Sequence, residues 1–287
     1  MEVQVLSPAP VFPLHFDLIP LRLDFQARDT LFFPPSKAAN IFRGAFGLAL
    51  KRVARAADYA RIFEPRCDGG PSGLADPPRP FVFRARHLDG RTIAAGSGFH
   101  FHLNLFTAEP QVRDLVVEAF ADAVREGLGP GRGKAELRSA AGEAVSLDLS
   151  PPAAPAGRIR VDFLSPTELK HEQRIVDRPD FPILFGRARD RVGALRALYG
   201  PGPLDIDFAA MGARAQAVRI SRCDLRSVDI ERRSSRTGQS HSIGGFVGSV
   251  DYEGPVAEFL PYLEAARWTG VGRQAVWGKG EIAVRTD

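Results

Sequence analysis

The sequence contains few cysteines and no long apolar run, and these absences exclude whole classes of protein. Cys67 and Cys223 lie far apart and form no Cys-x-x-Cys pair, so neither a structural zinc site nor a disulfide framework is predicted. The first residues lack a basic region followed by an apolar core, so no secretory signal is expected. No apolar stretch approaches the roughly 18 residues that span a membrane. We therefore expect a protein of the reducing cytoplasm without a membrane partner.

Motifs of several common enzymes are also missing or misplaced. There is no G-x-x-x-x-G-K-[ST] loop, which argues against an NTPase, and no G-x-S-x-G elbow, which argues against a serine-triad hydrolase. Gly270-Val271-Gly272 resembles the start of a dinucleotide fingerprint, but it precedes a predicted strand instead of opening a helix. No cofactor is therefore predicted.

The composition is that of an ordinary globular protein, but its positive charge is unevenly placed. Hydrophobic residues make up 44% and charged residues 25% of the 287, enough for two modest domains or one large one. The net charge is only +4, yet the sequence pI is about 9.3 and arginines crowd into short runs in the last third. Such runs favour a polyanionic partner, although a solvated arginine-rich surface would have the same pattern.

Hydrophobic periodicity in the first half predicts the order β-α-β-β-α-β. Period-two alternation marks the strands, and apolar residues at helical spacing mark the helices. Ser36 is placed to cap the first helix, and Gly44 and Gly47 within it are expected to allow a close approach by another backbone or a ligand. The predicted elements are a strand at 18–25, a helix at 37–59, strands at 81–83 and 99–105, a helix at 110–126 and a strand at 134–137.

The same order returns in the second half, after a stretch of prolines and small residues. This stretch, 150–157, is predicted to be a linker between a domain at 1–149 and a domain at 158–287. The repeated βαββαβ order predicts an α+β fold of two tandem ferredoxin-like domains, the arrangement that RRM domains share. The predicted elements are a strand at 159–164, a helix at 181–199, strands at 218–230 and 243–252, a helix at 256–268 and a strand at 281–284.

Two segments of the second half place cations on flexible backbone. One is the basic tip of the predicted hairpin, residues 231–241, and the other is the glycine-rich loop, residues 270–280. Arginines can pair with phosphates, and glycines expose backbone N–H groups to anions. Trp277 within the loop is expected to be a packing anchor in preference to a base-stacking platform. The predicted RNA-binding residues are Arg232, Arg233, Arg236, Arg273, Lys279, Gly270, Gly272, Gly278 and Gly280.

Five short stretches, in their order along the doubled pattern, are similar to those of one known family. They are Ile41-Phe42-Arg43-Gly44-Ala45-Phe46-Gly47-Leu48-Ala49-Leu50, Gly127-Leu128-Gly129-Pro130-Gly131-Arg132-Gly133, Phe163-Leu164-Ser165-Pro166-Thr167, Gly244-Gly245-Phe246-Val247-Gly248, and Val271-Gly272-Arg273 with Trp277-Gly278-Lys279-Gly280. Through them the chain resembles the CRISPR-associated endoribonucleases of family six, members of the RAMP superfamily that process precursor CRISPR RNA.

The resemblance implies RNA lying against a cleft between the two domains and against the glycine-rich loop. It also implies metal-independent cleavage of CRISPR repeat RNA into crRNA, in which a 2′-hydroxyl attacks the adjacent phosphate and leaves a 2′,3′-cyclic phosphate. Such a reaction needs a base for the 2′-proton, an acid for the leaving 5′-oxygen, and cations around the phosphorane. The implied partners are the CRISPR repeat RNA and other subunits of a CRISPR effector complex.

The chain departs from the family in its candidate catalytic residues. Family members often place a histidine on or just before the first helix, whereas this helix has none. A non-catalytic RAMP subunit that holds crRNA therefore remains an alternative, as does a small-molecule enzyme on the same scaffold. Lys51 is expected to act in cleavage, and His15 before the first strand is a further candidate. The predicted catalytic residues are Lys51, His241, Arg43 and Lys37.

A His-x-His pair on the third predicted strand has two possible roles. His100 and His102 share the polar face with Asn104, and such a pair can bind a metal. No third ligand is identifiable, so a structural or base-stacking role on the open face of the sheet is favoured and no metal site is predicted.

Overall fold

A computed structural model of the chain describes residues 14–66, 77–107, 109–172, 174–229, 231–233, 240–242 and 244–286. Among these, no helix is long and apolar enough to cross a membrane. The first half contains, in chain order, β1 (His15–Ala27), β2 (Leu31–Phe32), α1 (Ala38–Val53), α2 (Ala56–Phe63), β3 (Phe81–Arg84), β4 (Thr92–Ile93), β5 (Gly98–Leu105), α3 (Pro110–Glu126), β6 (Ala135–Ala141) and β7 (Val145–Asp148).

The main sheet of the first half has the strand order β3-β5-β1-β6, and every neighbouring pair is antiparallel. On β1 the alternation of Leu21, Leu23 and Phe25 with polar residues sends these three side chains to one buried face. There they pack against α1 and α3, and the Phe42 and Phe101 rings stack with centroids 4.0 Å apart. This strand order is that of a ferredoxin-like βαββαβ unit.

The first helix differs from its prediction in three ways. It ends at Val53, and a separate helix, α2, follows. Its buried stripe is centred on Phe42 and Phe46, whereas Leu48, which helical spacing also places on the apolar side, is 67% exposed. Gly47 lies against the Phe63 ring, so its close neighbour is a side chain instead of a backbone, while among the described residues a side chain at Gly44 would meet nothing within 4 Å. The expected approach of a ligand at these glycines stays a prediction.

The second half repeats the architecture. It contains β8 (Arg158–Thr167), β9 (Leu169–His171), β10 (Arg174–Val176), α4 (Phe181–Tyr199), α5 (Phe208–Ala215), β11 (Arg219–Val228), β12 (Glu231–Arg233), β13 (Ser240–Ser242), β14 (Gly245–Glu253), α6 (Leu260–Thr269) and β15 (Ile282–Thr286). A 3-10 turn at Ala257–Phe259 precedes α6, so the predicted helix begins later than expected.

The second sheet has the order β11-β14-β8-β15, again antiparallel throughout. This order is topologically the same as that of the first sheet, so the predicted α+β class and the tandem ferredoxin-like arrangement are confirmed. Residues 149–157 contain no helix or strand. The division into domains at 149 and 158 stays a prediction.

The two halves meet where the C-terminus of α6 reaches the open face of the first sheet. Arg84 donates to the carbonyl oxygens of Arg267 (2.9 Å) and Trp268 (3.0 Å), and the Asn104 amide donates to Trp268 at 2.9 Å. From α4, Arg191 donates to the Thr269 carbonyl at 2.9 Å, and burial with the nearby Arg84 charge lowers the pKa of Arg191 to about 10. These donors satisfy carbonyls that a helix end leaves unpaired. The junction covers part of the first sheet and leaves the rest open.

Candidate functional site

The glycine-rich loop between α6 and β15 is folded back on itself. Val271 N donates to the Gly280 carbonyl at 2.9 Å, and Gly280 N donates to the Pro166 carbonyl at 3.0 Å. Gly280 has a φ of 66° and its α-carbon faces the Val271 carbonyl, so a side chain there would collide with backbone. The loop therefore has a defined conformation that depends on glycine.

The loop is seated on the first helix. A 3-10 turn, Ala275–Trp277, places Val276 in the core of the first half and Trp277 partly buried against it. A Cβ on Gly278 would lie 2.7 Å from the Cβ of Ala39, near the start of α1. The loop of the second half and the first helix of the first half thus form one surface. The location of Trp277 agrees with its expected packing role.

Arg43 lies inside this contact. Its guanidinium is 4.9 Å from the centre of the Phe63 ring and 5.0 Å from that of the Trp277 ring. Cation–π contacts of this kind join α1, α2 and the loop. The geometry gives Arg43 a packing role, while its predicted part in catalysis stays a prediction.

The structure corrects the expected exposure of Lys279. Its side chain is only 4% exposed, and its Nζ lies 3.4 Å from the Ser36 carbonyl oxygen instead of projecting into solvent. Burial lowers the pKa of Lys279, and the nearby Asp89 carboxylate partly opposes that shift. A phosphate could not reach this ammonium without moving the loop, so the predicted direct RNA contact does not fit its position.

Asp89 occupies the N-terminus of α1, a position that sequence reasoning assigned to Ser36. The Asp89 Oδ1 accepts a hydrogen bond from Ala38 N at 2.9 Å, whereas Ser36 has a φ of 59° and lies one residue before the N-cap position, which Lys37 occupies. Burial raises the pKa of Asp89, against the effect of this hydrogen bond and of the Lys279 charge. The carboxylate fills the anion-binding end of the helix, so a phosphate is not expected at the helix N-terminus itself.

Lys37 and Lys51 lie at opposite ends of α1. Lys37 is the residue immediately before the helix, and Lys51 is exposed in its last turn. A separation of 14 residues corresponds to roughly 21 Å along a helix, so both cannot act on one phosphate. Lys37 is at the end of α1 that contacts the loop, so it is better placed than Lys51 to meet an anion bound beside the loop.

Arg273 is the exposed cation of the loop, but it is partly neutralised. Its guanidinium pairs with Glu168, a buried residue whose carbonyl also accepts a hydrogen bond from Arg273 N at 3.0 Å. About half of the Arg273 side chain stays exposed, which leaves donors free for an anion. Glu168 therefore orients Arg273 and offsets its positive charge.

The other predicted residues are placed with less detail. Arg232 and His241 are paired in register between β12 and β13, and Arg233 follows in β12, but nothing is described of these side chains. Arg236 lies outside the described residues. His15 is the first residue of β1 and its Nε2 is 3.0 Å from an Asp17 oxygen. In the described part of the chain no group of three or more His, Cys, Asp or Glu residues could hold a metal ion.

Two contacts of this surface carry no signal in the sequence. Asp89 precedes a glycine and reads only as part of a turn, although it caps a helix that begins 51 residues earlier in the chain. Glu168 reads as an ordinary polar residue at the end of a strand, and its pairing with Arg273 depends on how the second sheet folds.

Comparison with known proteins bears directly on this arrangement. Residues 161–282 match the family model of the CRISPR-associated endoribonuclease Cas6. The predicted resemblance to Cas6 is confirmed. The glycine-rich loop lies inside this Cas6 match, whereas α1 lies in residues 14–149, which match a family model described as an N-terminal domain.

Solved structures extend the similarity to Cas6 over both halves. A Cas6 solved as a product complex has a TM-score of 0.63 at 17% identity, over 93% of this chain and 99% of its own. A Thermus thermophilus Cas6 has a TM-score of 0.58 at 16% identity, over 94% of this chain and 99% of its own. A RAMP protein described as binding different RNA substrates has a TM-score of 0.51 at 10% identity, over 93% and 99%. At these identities the matches establish a shared fold. No curated protein sequence matches the chain significantly.

Proposed function

We propose that this protein is an endoribonuclease that cleaves CRISPR repeat transcripts into crRNA. The contact between the glycine-rich loop and the start of α1 supports the proposal most directly, because it joins a loop of one half to a helix of the other. A strand of RNA laid along that seam would meet Arg273 from the loop and Lys37 from the helix. The similarity to Cas6 structures solved with product and with a substrate mimic supports the same assignment.

The proposed chemistry is an internal transfer at phosphorus that needs no metal. The 2′-hydroxyl loses its proton and attacks the adjacent phosphorus, the bond to the 5′-oxygen breaks, and that oxygen gains a proton. The products are a 2′,3′-cyclic phosphate and a 5′-hydroxyl. Lys37 is the candidate acid at the helix end, Arg273 the cation that stabilises the phosphorane, and His241 the candidate base.

Indirect roles follow for the two buried residues at the seam. Lys279 and Asp89 hold the loop and the helix end in fixed relative positions, and neither needs to touch the RNA. Positioning of this kind is valuable because a displacement of about 1 Å can cost a factor of 10² in rate. The partners would be the repeat RNA, its crRNA product and other CRISPR subunits in the cytoplasm, and one Cas6-containing neighbour is a complex that includes Cas1 and Cas2.

Incubation of the protein with its repeat RNA in EDTA tests the proposal. Products that end in a 2′,3′-cyclic phosphate are expected, and a 2′-deoxy substitution at the cleaved nucleotide should abolish them while leaving binding intact. Cleavage only after Mg²⁺ addition would contradict the metal-independent mechanism.

A non-catalytic RAMP subunit is the second candidate function. The observation in its favour is that α1 contains no histidine and that Lys37, just before α1, and Lys51 lie at opposite ends of the helix. Such a protein would bind repeat RNA tightly and leave it intact for hours under the same conditions.

A further inference from the structure

The part of the first sheet that the second half leaves open is occupied by histidines. His100 and His102 lie on β5, directly across from Asp24 and Arg22 of β1. Both histidines are partly exposed on the face of the sheet opposite to α1. This surface, which we call the histidine face, is therefore separate from the seam between α1 and the glycine-rich loop.

A third histidine extends the ring cluster. His87, from a 3-10 turn after β3, stacks on His100 with centroids 4.8 Å apart and planes at 28°. His100 and His102 meet edge to face at 5.6 Å and 85°. The His87 Nε2 lies 2.8 Å from the His100 carbonyl oxygen, which can only accept, so Nε2 carries the proton and the ring is held in place. The rings form a small, ordered aromatic surface.

Two of these rings are favoured in their neutral form. Burial is the main cause that lowers the pKa of His100 and of His102, and the Arg22 charge adds to it in both. At neutral pH both imidazoles are then flat, uncharged aromatic rings instead of cations. Such rings suit the faces of nucleobases better than they suit phosphates.

Polar groups surround a shallow depression of about 400 Å³ beside His100. Arg22 donates to Asp24 at 2.7 Å and keeps about 44% of its side chain exposed. Arg138 donates to the Gln26 amide oxygen at 3.0 Å and keeps about 49% exposed. The depression thus combines an aromatic wall with fixed hydrogen-bonding groups and two accessible guanidinium groups, and its volume matches a small planar ligand.

We propose that the histidine face binds unpaired bases of a single RNA strand, which stack on His100 and His102 while Arg22 and Arg138 contact the adjacent phosphates. RRM domains, which share this βαββαβ sheet, hold single-stranded RNA by stacking bases on aromatic residues of the sheet. The inference rests on the proposed function, because it takes RNA as the partner. It adds a second contact on the opposite side of the first sheet from α1.

A short unstructured RNA of eight nucleotides without a cleavage site tests this surface alone. Fluorescence anisotropy at fixed salt should show binding to the full chain. Replacing both histidines (H100A/H102A) should weaken it by at least about five-fold for each lost stack. Restoring flat rings (H100F/H102F) should recover most of the affinity. His171→Ala serves as the matched control, since His171 is exposed on β9 in the other half.

Equal binding by H100A/H102A and the unchanged protein would overturn the proposal, and so would equal loss in H100A/H102A and H100F/H102F. Should the double alanine variant fail to fold, photo-crosslinking of a 4-thiouridine RNA to the unchanged protein decides. A crosslink within residues 98–105 supports the histidine face, and crosslinks confined to other peptides refute it. Cleavage of repeat RNA without binding at the histidine face would contradict only this inference. Binding at the histidine face without any cleavage would contradict only the proposed nuclease activity.

Discussion

Gly278→Ala is the substitution that most directly tests the contact between the loop and α1. Gly278 has a φ of 74°, and an added Cβ would lie 2.7 Å from the Cβ of Ala39. The left-handed backbone alone costs about 1–2 kcal/mol for a residue other than glycine. Carbon atoms prefer a separation of about 3.5–4.0 Å, so the loop must also retreat by about 1 Å, at an overpacking cost of about 1–3 kcal/mol. The expected total destabilisation is about 2–5 kcal/mol.

Gly96→Ala provides the matched control for this substitution. Gly96 has a φ of 81°, and a Cβ there would meet no atom of the described residues within 4 Å, so only the backbone cost of about 1–2 kcal/mol applies. Thermal unfolding should give a Tm for the Gly278 variant about 2–5 °C below that of the control. Single-turnover cleavage should fall by about 10²-fold in the Gly278 variant only, because the loop is displaced. If the two variants have the same Tm and the same cleavage rate, the loop does not depend on its contact with α1.

Further substitutions address the helix end, the lysines and the hairpin. Asp89→Ala should cost about 0.5–2 kcal/mol through loss of the helix cap, whereas Asp89→Asn keeps the acceptor. Because the pKa of Asp89 is raised in the folded protein, protonation of this carboxyl stabilises the fold. The stabilisation is complete at pH values below the unfolded pKa and is lost as the pH rises through the folded pKa. In urea titrations, the free energies of unfolding of the unchanged protein and of Asp89→Asn should therefore converge at low pH. Lys37→Ala should slow single-turnover cleavage by about 10²-fold or more with little change in RNA affinity, whereas Lys51→Ala should leave the cleavage rate nearly unchanged. If Lys51→Ala is instead the slower variant, the cleaved phosphate lies at the C-terminal end of α1. Replacing Arg232, Arg233 and Arg236 of the hairpin with alanine should weaken RNA binding and flatten the dependence of its affinity on salt concentration. An unchanged salt dependence would show that the hairpin is not part of the interface.

Hydrophobic periodicity was sufficient to predict the fold because each half repeats a short pattern with local signals. The helices at 110–126 and 181–199 have the predicted bounds, since each begins at a proline-containing first turn and carries an apolar stripe. The break between α1 and α2 was missed because the apolar spacing continues across Ala54, where the backbone is extended. Leu48 carries the same apolar signal as Phe42 and Phe46, yet those two are buried and Leu48 is exposed, so apolar spacing alone does not identify the buried face.

The candidate site was predictable only in its main parts. The glycine-rich loop and the basic first helix stand out in the sequence, because each is a local pattern. Asp89 and Glu168 do not, because each acts on a partner more than 50 residues away that only the folded sheet brings near. The burial of Lys279 has no local signal for a related reason: a lysine between two glycines suggests an exposed loop, and nothing nearby in the sequence indicates that its side chain reaches the Ser36 carbonyl.

The buried position of Lys279 bears on how a nuclease without a histidine on α1 could be organised. A buried ammonium is costly to desolvate, and replacing a buried charged pair with neutral side chains is commonly neutral or stabilising for folding. Lys279→Met, made together with Asp89→Asn so that the buried Asp89 carboxylate does not lose its neighbouring charge, should therefore preserve or raise the Tm if Lys279 serves packing alone. If its charge instead sets the electrostatic potential at the helix end where Lys37 lies, the same variant should fold normally and yet cleave slowly, and Lys279→Arg should recover part of the rate. Because stability and activity are expected to separate in only one of these cases, this substitution distinguishes a structural lysine from one that contributes to the reaction.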